Sequence, residues 1–266
     1  MDTSASRLAR SFSWLGMALR LLLALGVAGC ASRPSNGGPV LVFAAASLSD
    51  ALPEIGQAFA EETGVGVDFS FGSSGALADQ ALRGAPADLF ISAGAQPMDR
   101  LESAGALAAD TRADLLTNRL ALVARKDSSL KLESIEGLAS PDVRRIAIAD
   151  PALAPAGAYA REALERLGLW QRIQDKLVPA PDVRATLAYV KIGNADVGIV
   201  YETDATADLV RVLFVFPEGS HSPIVYPVAV LARAPHRREA QEFLAFLKGQ
   251  SASEILSRRG FQPASP

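Results

Sequence analysis

Residues 40–72, VLVFAAASLSDALPEIGQAFAEETGVGVDFSFG, contain a strand, a helix and a second strand in succession. The apolar run from Val40 to Ala46 is typical of a buried strand, and residues 51–62 repeat apolar side chains at helical spacing. Gly64 then stands where a helix C-cap glycine belongs. The alternation from Val65 to Phe71 predicts the next strand. This unit indicates an α/β fold with a largely parallel sheet.

Strand and helix patterns continue to alternate along the rest of the chain. Further strands are predicted at residues 88–92, 120–124, 145–149, 197–201, 210–216 and 225–231. Further helices are predicted at residues 76–82, 98–103, 159–167, 183–192, 240–247 and 253–257. These units could form one wide sheet or two smaller ones, and periodicity alone does not distinguish the two arrangements.

Composition excludes one large class of function. Of the 266 residues, 49% are hydrophobic, which is enough for a substantial core in one domain or two lobes. The 26 basic and 29 acidic residues give a net charge of −3. A nucleic-acid-binding protein would carry a basic excess, so this class is not indicated.

The N-terminus has the features of an export signal. Arg7 and Arg10 supply positive charge before a short apolar run at residues 21–28, which is far below the ~20 residues that a bilayer span requires. Val-Ala-Gly-Cys at residues 27–30 is similar to a bacterial lipobox, and Cys30 is the only cysteine. We therefore predict a signal peptide over 1–29 and an exported protein anchored in the membrane by acylated Cys30. The alternative is an ordinary signal peptide with an incidental cysteine.

A linker and then four glycine-, serine- or proline-rich joints follow. Residues 30–39 are small, polar or turn-forming and predict a lipid-attached tether. The joints lie between predicted strands and helices at residues 45–49 (AASLS), 72–75 (GSSG), 154–157 (APAG) and 179–183 (PAPDV). In open α/β sheets, ligands bind at the carboxyl ends of strands, where helix N-termini present free N–H groups and partial positive charge. Four such joints that converge would form an anion site.

Catalytic motifs are absent from the sequence. His221 and His236 lie in polar stretches, and neither stands in a recognisable nucleophile–base arrangement. The sequence contains no Gly-x-Ser-x-Gly elbow and no Walker-type phosphate loop. We therefore predict that the protein is not an enzyme and uses no cofactor.

Seven short motifs, taken in order, resemble those of the periplasmic molybdate-binding proteins of bacterial molybdate ABC transporters. They are FAAASL (43–48), FGSSG (71–75), GAPADLFISA (84–93), PAGAYA (155–160), PDVR (181–184), GIVY (198–201) and YPVAV (226–230). The resemblance covers residues 40–262. It implies a type II periplasmic-binding-protein fold, in which two α/β lobes are joined by a two-strand hinge and the ligand lies in the cleft.

The resemblance also implies a set of ligand contacts. The family's two serine hydroxyls fall on Ser47 and Ser74, and its tyrosine hydroxyl falls on Tyr201. Its two backbone N–H donors fall on Ala156 and Val183. Two neighbouring positions depart from the family's pattern: Gly75 stands where relatives often carry serine, and Glu202 replaces a common glycine.

The function implied is capture of molybdate, and of tungstate, by a monomeric protein that delivers the anion to a membrane permease. Molybdate at neutral pH is a fully deprotonated dianion, so it needs donors only, and hydroxyl and N–H groups supply them. The main alternative is another tetrahedral oxyanion, sulfate or thiosulfate. A ferric-ion receptor would need paired tyrosines, and the sequence has no adjacent pair.

Boundaries between the lobes are predicted from the same pattern. We expect the first lobe at 40–124 and 218–266 and the second lobe at 125–217. The two crossover segments are expected near residues 125–128 and 216–220, within about eight residues.

Overall fold

The computed structural model describes residues 38–206 and 209–264. The predicted signal peptide, Cys30 and most of the predicted linker lie outside these described residues. No helix among the described residues is both long enough and apolar enough to cross a bilayer.

The first sheet contains the strand–helix–strand unit that opens the fold. Its strands are β1 (Val40–Ala45), β2 (Val67–Gly72), β3 (Leu89–Ile91), β4 (Ala113–Asn118), β10 (Ile224–Val230) and β11 (Gln262–Pro263). Their spatial order is β11-β4-β10-β3-β1-β2. β2 and β3 run parallel to β1, whereas β10 is antiparallel to both β3 and β4.

The second sheet has the same mixed character. Its strands are β5 (Leu120–Arg125), β6 (Ile146–Ala149), β7 (Leu177–Ala180), β8 (Val197–Tyr201) and β9 (Val210–Val215). They are arranged in the order β7-β6-β8-β5-β9. β7 and β8 run parallel to β6, and β5 is antiparallel to both β8 and β9. Two sheets, rather than one wide sheet, therefore form the two lobes.

Helices connect the parallel strands and cover the sheets. They are α1 (Leu52–Thr63), α2 (Ser74–Leu82), α3 (Ala95–Ser103), α4 (Pro155–Arg166), α5 (Trp170–Ile173), α6 (Val183–Lys191), α7 (Arg237–Leu247) and α8 (Gln250–Arg258). Short 3-10 segments occupy Ala46–Leu48, Ile135–Ala139, Gln174–Lys176 and Glu202–Thr206. Gly64 ends α1 in the left-handed conformation, with φ of 76°, as the sequence predicts. Phe59 of α1 packs edge-on against Phe243 of α7, with ring centroids 5.0 Å apart.

The chain crosses from the first sheet to the second at Arg119, the single residue between β4 and β5. It returns in the segment between Val215 and Ile224. Residues 120–124, which were expected to end the first lobe, are hydrogen-bonded to β8 and β9 of the second sheet. The crossing therefore lies five residues before the expected boundary at residue 124, within the expected margin of about eight residues. Residues 120–124 are fully buried and belong to β5, which lies between β8 and β9 in the second sheet. The strand β4, which was not predicted, ends the first segment of the first lobe.

Candidate functional site

A small cavity lies where the two lobes meet. The first lobe lines it with Ala45, Ala46, Ser47, Gly72, Ser73, Ser74 and Ala93, and the second with Ala154, Pro155, Ala156, Asp182, Val183 and Tyr201. All five predicted contacts, Ser47, Ser74, Ala156, Val183 and Tyr201, are therefore brought together, although they span more than 150 positions of sequence. Each is at most 4% exposed, so a ligand there would be largely shielded from water.

Helix starts supply much of the cavity wall. Ser74 and Val183 are the first residues of α2 and α6, and Ala156 is the second residue of α4. The N–H groups in the first turn of a helix have no hydrogen-bond partner within the helix, and the helix dipole adds a partial positive charge at this end. The arrangement therefore favours an anion over a cation or a neutral ligand.

Capping residues fix two of these helix starts. The Asp182 carboxylate accepts a hydrogen bond from the Ala185 N–H at 2.9 Å, and the Ser73 hydroxyl accepts one from the Ala76 N–H at 3.4 Å. Asp182 lines the cavity, but its capping oxygen is committed to α6. At the third start, Pro155 occupies the first helical position, where the missing N–H costs nothing.

Ser47 lies on the 3-10 segment that follows β1. Its hydroxyl is 3.0 Å from the Tyr226 hydroxyl of β10. The Asn118 side-chain amide donates to the same Tyr226 oxygen at 3.1 Å. Ser47 is thus held by Tyr226, which is itself held by Asn118, and neither of these two polar residues was predicted to belong to the site.

Ser74 and Tyr201 both reach the backbone of Ala93. The Ala93 N–H donates to the Ser74 hydroxyl oxygen at 3.0 Å, and the Tyr201 hydroxyl donates to the Ala93 carbonyl oxygen at 3.1 Å. The second contact joins the lobes. Burial raises the pKa of Tyr201 well above its ordinary value, so its hydroxyl remains protonated and available as a donor.

Arg184, one residue beyond Val183, extends from the second lobe to the first. Its guanidinium donates to the carbonyl oxygens of Ala46 and Ser47, each at 3.3 Å, and lies 2.8 Å from the Asp50 carboxylate. Ala46 and Ser47 belong to the 3-10 segment that lines the cavity. Arg184 can hold this segment in place only when the two lobes are together.

Asp204 is a buried carboxylate beside the Arg184 guanidinium. One oxygen accepts from the Tyr201 N–H at 3.3 Å, and the other lies 3.3 Å from the Arg184 guanidinium without hydrogen-bond alignment. Burial raises the pKa of Asp204 to about 7, and the positive charge of Arg184 opposes that rise. The charge of Asp204 therefore changes close to neutral pH.

No prediction from the sequence gave a role in the site to Asn118, Tyr226, Arg184 or Asp204. A tyrosine in an otherwise apolar strand was a usable signal, because a buried tyrosine hydroxyl needs a partner. The rings of Tyr201 and Tyr226 are neighbours, 5.8 Å apart, although the sequence shows no adjacent tyrosine pair. Within residues 38–206 and 209–264, no group of three or more His, Cys, Asp and Glu side chains is placed to hold a metal ion.

Comparison with known proteins supports the same class of molecule. The model of the bacterial extracellular solute-binding protein family matches residues 40–262. The chain belongs to this family. Its members bind solutes rather than transform them, which confirms the prediction that the protein is not an enzyme. The predicted type II periplasmic-binding-protein fold is also confirmed.

Two relatives illustrate the similarity in sequence. The molybdate-binding protein ModA of Escherichia coli is 43% identical over 253 residues, covering 93% of this chain and 97% of the relative. A Bacillus subtilis protein, whose name describes an ABC transporter substrate-binding lipoprotein, is 37% identical and covers 88% of this chain and 92% of its own.

Two solved structures illustrate the similarity in fold. The periplasmic molybdate-binding protein of Azotobacter vinelandii superposes with a TM-score of 0.77 at 26% identity, covering 85% of this chain and all of that one. The substrate-binding domain of a molybdenum ABC transporter from Clostridium difficile gives 0.66 at 37% identity, with 86% and 100% coverage.

Proposed function

We propose that the protein captures molybdate outside the cytoplasm and delivers it to the membrane permease of an ABC transporter. The observation that carries the proposal is the buried cavity between the lobes, which is lined by three hydroxyl-bearing residues, Ser47, Ser74 and Tyr201, and by helix-start residues from both lobes. The names of the relatives in Escherichia coli and Azotobacter vinelandii point to the same ligand.

The proposed ligands are the hydroxyls of Ser47, Ser74 and Tyr201 and the N–H groups of Ala156 and Val183. All are donors, which suits a dianion with four acceptor oxygens and no proton. Each hydrogen bond to a charged group contributes ~1.5–3 kcal/mol, so about seven such bonds to the anion would support sub-micromolar affinity after association costs. In this proposal the Tyr201 hydroxyl exchanges the Ala93 carbonyl oxygen for an oxygen of the anion.

Oriented backbone dipoles, rather than a direct ion pair, would balance the charge of the anion. The guanidinium of Arg184 is engaged by the Ala46 and Ser47 carbonyl oxygens and by Asp50. Helix N-termini stabilise an anion without the strong point attraction of a lysine or arginine. The anion can then leave when the lobes separate at the permease.

An anion titration tests the proposal. Exported protein, purified in mild detergent, would be titrated calorimetrically with molybdate, tungstate, sulfate and phosphate. We expect sub-micromolar binding of molybdate and of tungstate, which is nearly the same size, and far weaker binding of the smaller sulfate. If sulfate bound more tightly than molybdate, the ligand would be another oxyanion, and no binding of any of the four anions would contradict the proposal.

We also propose that acylated Cys30 anchors a monomeric protein to the membrane. Two or three acyl chains give firm attachment, because each buried CH₂ contributes ~0.8 kcal/mol. The Bacillus subtilis relative named as a lipoprotein supports this idea. Wild-type protein should incorporate labelled palmitate and fractionate with membranes, whereas Cys30→Ser should do neither. Absence of label from the wild type would refute the anchor while leaving anion binding untouched.

A further inference from the structure

We propose that Asn118 and Tyr226 form a directed donor chain that compels Ser47 to act as a hydrogen-bond donor toward the cavity. The chain would thereby select oxyanions that carry no proton. This inference rests on the proposed function, since it concerns the same cavity. It assigns a specificity role to two residues that line no part of that cavity.

The chain begins with an amide whose orientation is fixed by its own contacts. The Asn118 side-chain oxygen accepts the Arg119 N–H at 2.9 Å, so the amide nitrogen must face the other way. That nitrogen donates to the Thr203 hydroxyl at 2.9 Å and to the Tyr226 hydroxyl at 3.1 Å. Both of its protons are therefore used, and it has no acceptor to offer.

Tyr226 transmits this direction to Ser47. Tyr226 is fully buried, and burial raises the pKa of its hydroxyl far above the ordinary value, so it keeps its single proton. Its oxygen already accepts from Asn118, so its proton points to the Ser47 oxygen, 3.0 Å away. Ser47 then accepts from Tyr226, and its own proton is left for the cavity.

Backbone pairing makes the chain rigid. Ile224 of β10 is paired with Asn118 of β4, which places Tyr226 two residues along the neighbouring strand. The Tyr226 ring packs against Phe261 at 5.7 Å and Tyr201 at 5.8 Å between centroids. The position of the Tyr226 hydroxyl is therefore held by strand pairing within the first sheet and by ring contacts from both lobes.

The consequence is chemical selectivity. A fully deprotonated oxyanion satisfies a cavity that contains only donors. Hydrogen phosphate carries a proton that needs an acceptor. A Ser47 oxygen that already accepts from Tyr226 and turns its own proton toward the cavity is a poor acceptor for that proton. An unpaired donor facing an unpaired proton is costly when both are buried. Tyr226 and Asn118 are thus positioning residues that exclude protonated oxyanions.

The first test removes the middle of the chain. Tyr226→Phe keeps the ring and deletes the hydroxyl, so Ser47 loses the partner that orients it. We expect molybdate affinity to fall about tenfold, because a hydrogen-bond donor to a charged ligand is no longer fixed. Tyr189→Phe, at a half-buried position of α6 that does not line the cavity, is the matched control and should bind as the wild type does.

The second test reverses the chain. Asn118→Asp keeps the shape but offers a carboxylate to Tyr226, which then donates to that carboxylate and accepts from Ser47. Ser47 would present an oxygen to the cavity. The added charge repels molybdate and dianionic hydrogen phosphate alike, so the ratio of their affinities isolates the reversal. We expect that ratio, measured at mildly alkaline pH, to shift about tenfold or more toward hydrogen phosphate.

The outcomes separate this inference from the proposed function. Wild-type protein that fails to bind molybdate refutes the proposed function. Wild-type protein that binds molybdate, together with a folded Tyr226→Phe variant of unchanged affinity, refutes the donor chain alone. An unchanged preference for molybdate in folded Asn118→Asp also refutes it. Circular dichroism and melting temperatures establish that each variant is folded.

Discussion

The N–H of Gly75 in the first lobe donates a hydrogen bond to the carbonyl oxygen of Leu153 in the second lobe, 3.0 Å away. A Cβ atom at Gly75 would lie only 2.3 Å from that oxygen. Real Cβ atoms do not approach backbone this closely, so any larger residue must push the lobes apart here. The lobes therefore meet beside the cavity through a contact that requires glycine.

Gly75→Ala should weaken molybdate binding at least about tenfold, because the methyl group prevents the approach that brings the donors of both lobes together. Solution scattering at saturating molybdate should give a larger radius of gyration than for wild type. Gly66→Ala is the control, since its Cβ would make an ordinary contact of 3.6 Å with Pro39. Wild-type affinity in Gly75→Ala would mean that the lobes do not need this approach to hold the anion.

Arg184 should contribute to closure through its geometry as well as its charge. Arg184→Lys keeps the charge but cannot reach the Ala46 and Ser47 carbonyl oxygens and the Asp50 carboxylate together. The ion pair with exposed Asp50 contributes little to the stability of the closed form. The loss therefore comes mainly from the two carbonyl contacts, and we expect about a fivefold fall in molybdate affinity, mostly as faster dissociation of the anion. Arg172→Lys, at an exposed position of α5, is the control. Equal dissociation rates in wild type and Arg184→Lys would show that the bridge is incidental.

The strands show how far the sequence could specify the fold. Strands such as β1, β6 and β8 are continuous apolar runs and were predicted almost to the residue. β7 was missed because Pro179 interrupts it, and proline is tolerated there only since β7 is at the edge of its sheet. β4 was missed because Ala113–Asn118 is half-polar and mostly half-buried, so its apolar signal is weak. Whether a weak segment pairs depends on its neighbours, which local pattern does not contain.

The residues that line the cavity could be predicted from the sequence, but the contacts between them could not. The five predicted positions lie at strand–helix joints, and local motif is enough to locate such joints. The contacts between them depend on tertiary approach: Tyr201 and Ala93 are 108 residues apart, and Ser47 and Tyr226 are 179 apart. The donor or acceptor role of a hydroxyl is set by such partners, so the sequence located the groups without fixing their directions.

The pH dependence of stability should reveal Asp204. Because burial raises the pKa of Asp204 to about 7, the folded protein holds a proton that the unfolded chain has already released between roughly pH 4 and 7. The folded state binds more protons in that window, so the contribution of Asp204 to the free energy of unfolding falls as pH rises. It is greatest below the unfolded pKa and fully lost above about pH 7.

Asp204→Asn removes this titration and keeps an acceptor for the Tyr201 N–H. From pH 4 to 7, wild type should lose up to ~1.4 kcal/mol per pH unit relative to the variant, measured by urea unfolding. Other carboxylates, such as Glu54, whose pKa Arg259 and Arg258 lower, are present in both proteins and cancel. If the free energy of unfolding changed with pH in the same way for the two proteins over this range, Asp204 would not titrate between pH 4 and 7.

The role of backbone donors is best tested at Val183, because the start of α6 tolerates proline. Asp182 before it is extended, with φ of −155° and ψ of 179°, and so it lies outside the helical region that a following proline disfavours. Val183 is the first helical residue, where proline is favoured and the N–H has no helical partner. The same chain already has this arrangement at extended Ala154 and Pro155. Ala156 is less suitable, since Pro155 before it is already helical.

Val183→Pro should therefore melt within a few degrees of wild type while losing at least about tenfold in molybdate affinity, because one N–H donor to the anion is deleted. Val183→Ala is the control: it keeps the N–H, removes two methyl groups, and should lose more stability than affinity. The comparison separates a donated proton from side-chain packing, since the two variants change them in opposite ways. Calorimetry that finds wild-type affinity in a folded Val183→Pro protein would remove the N-terminus of α6 from the anion site.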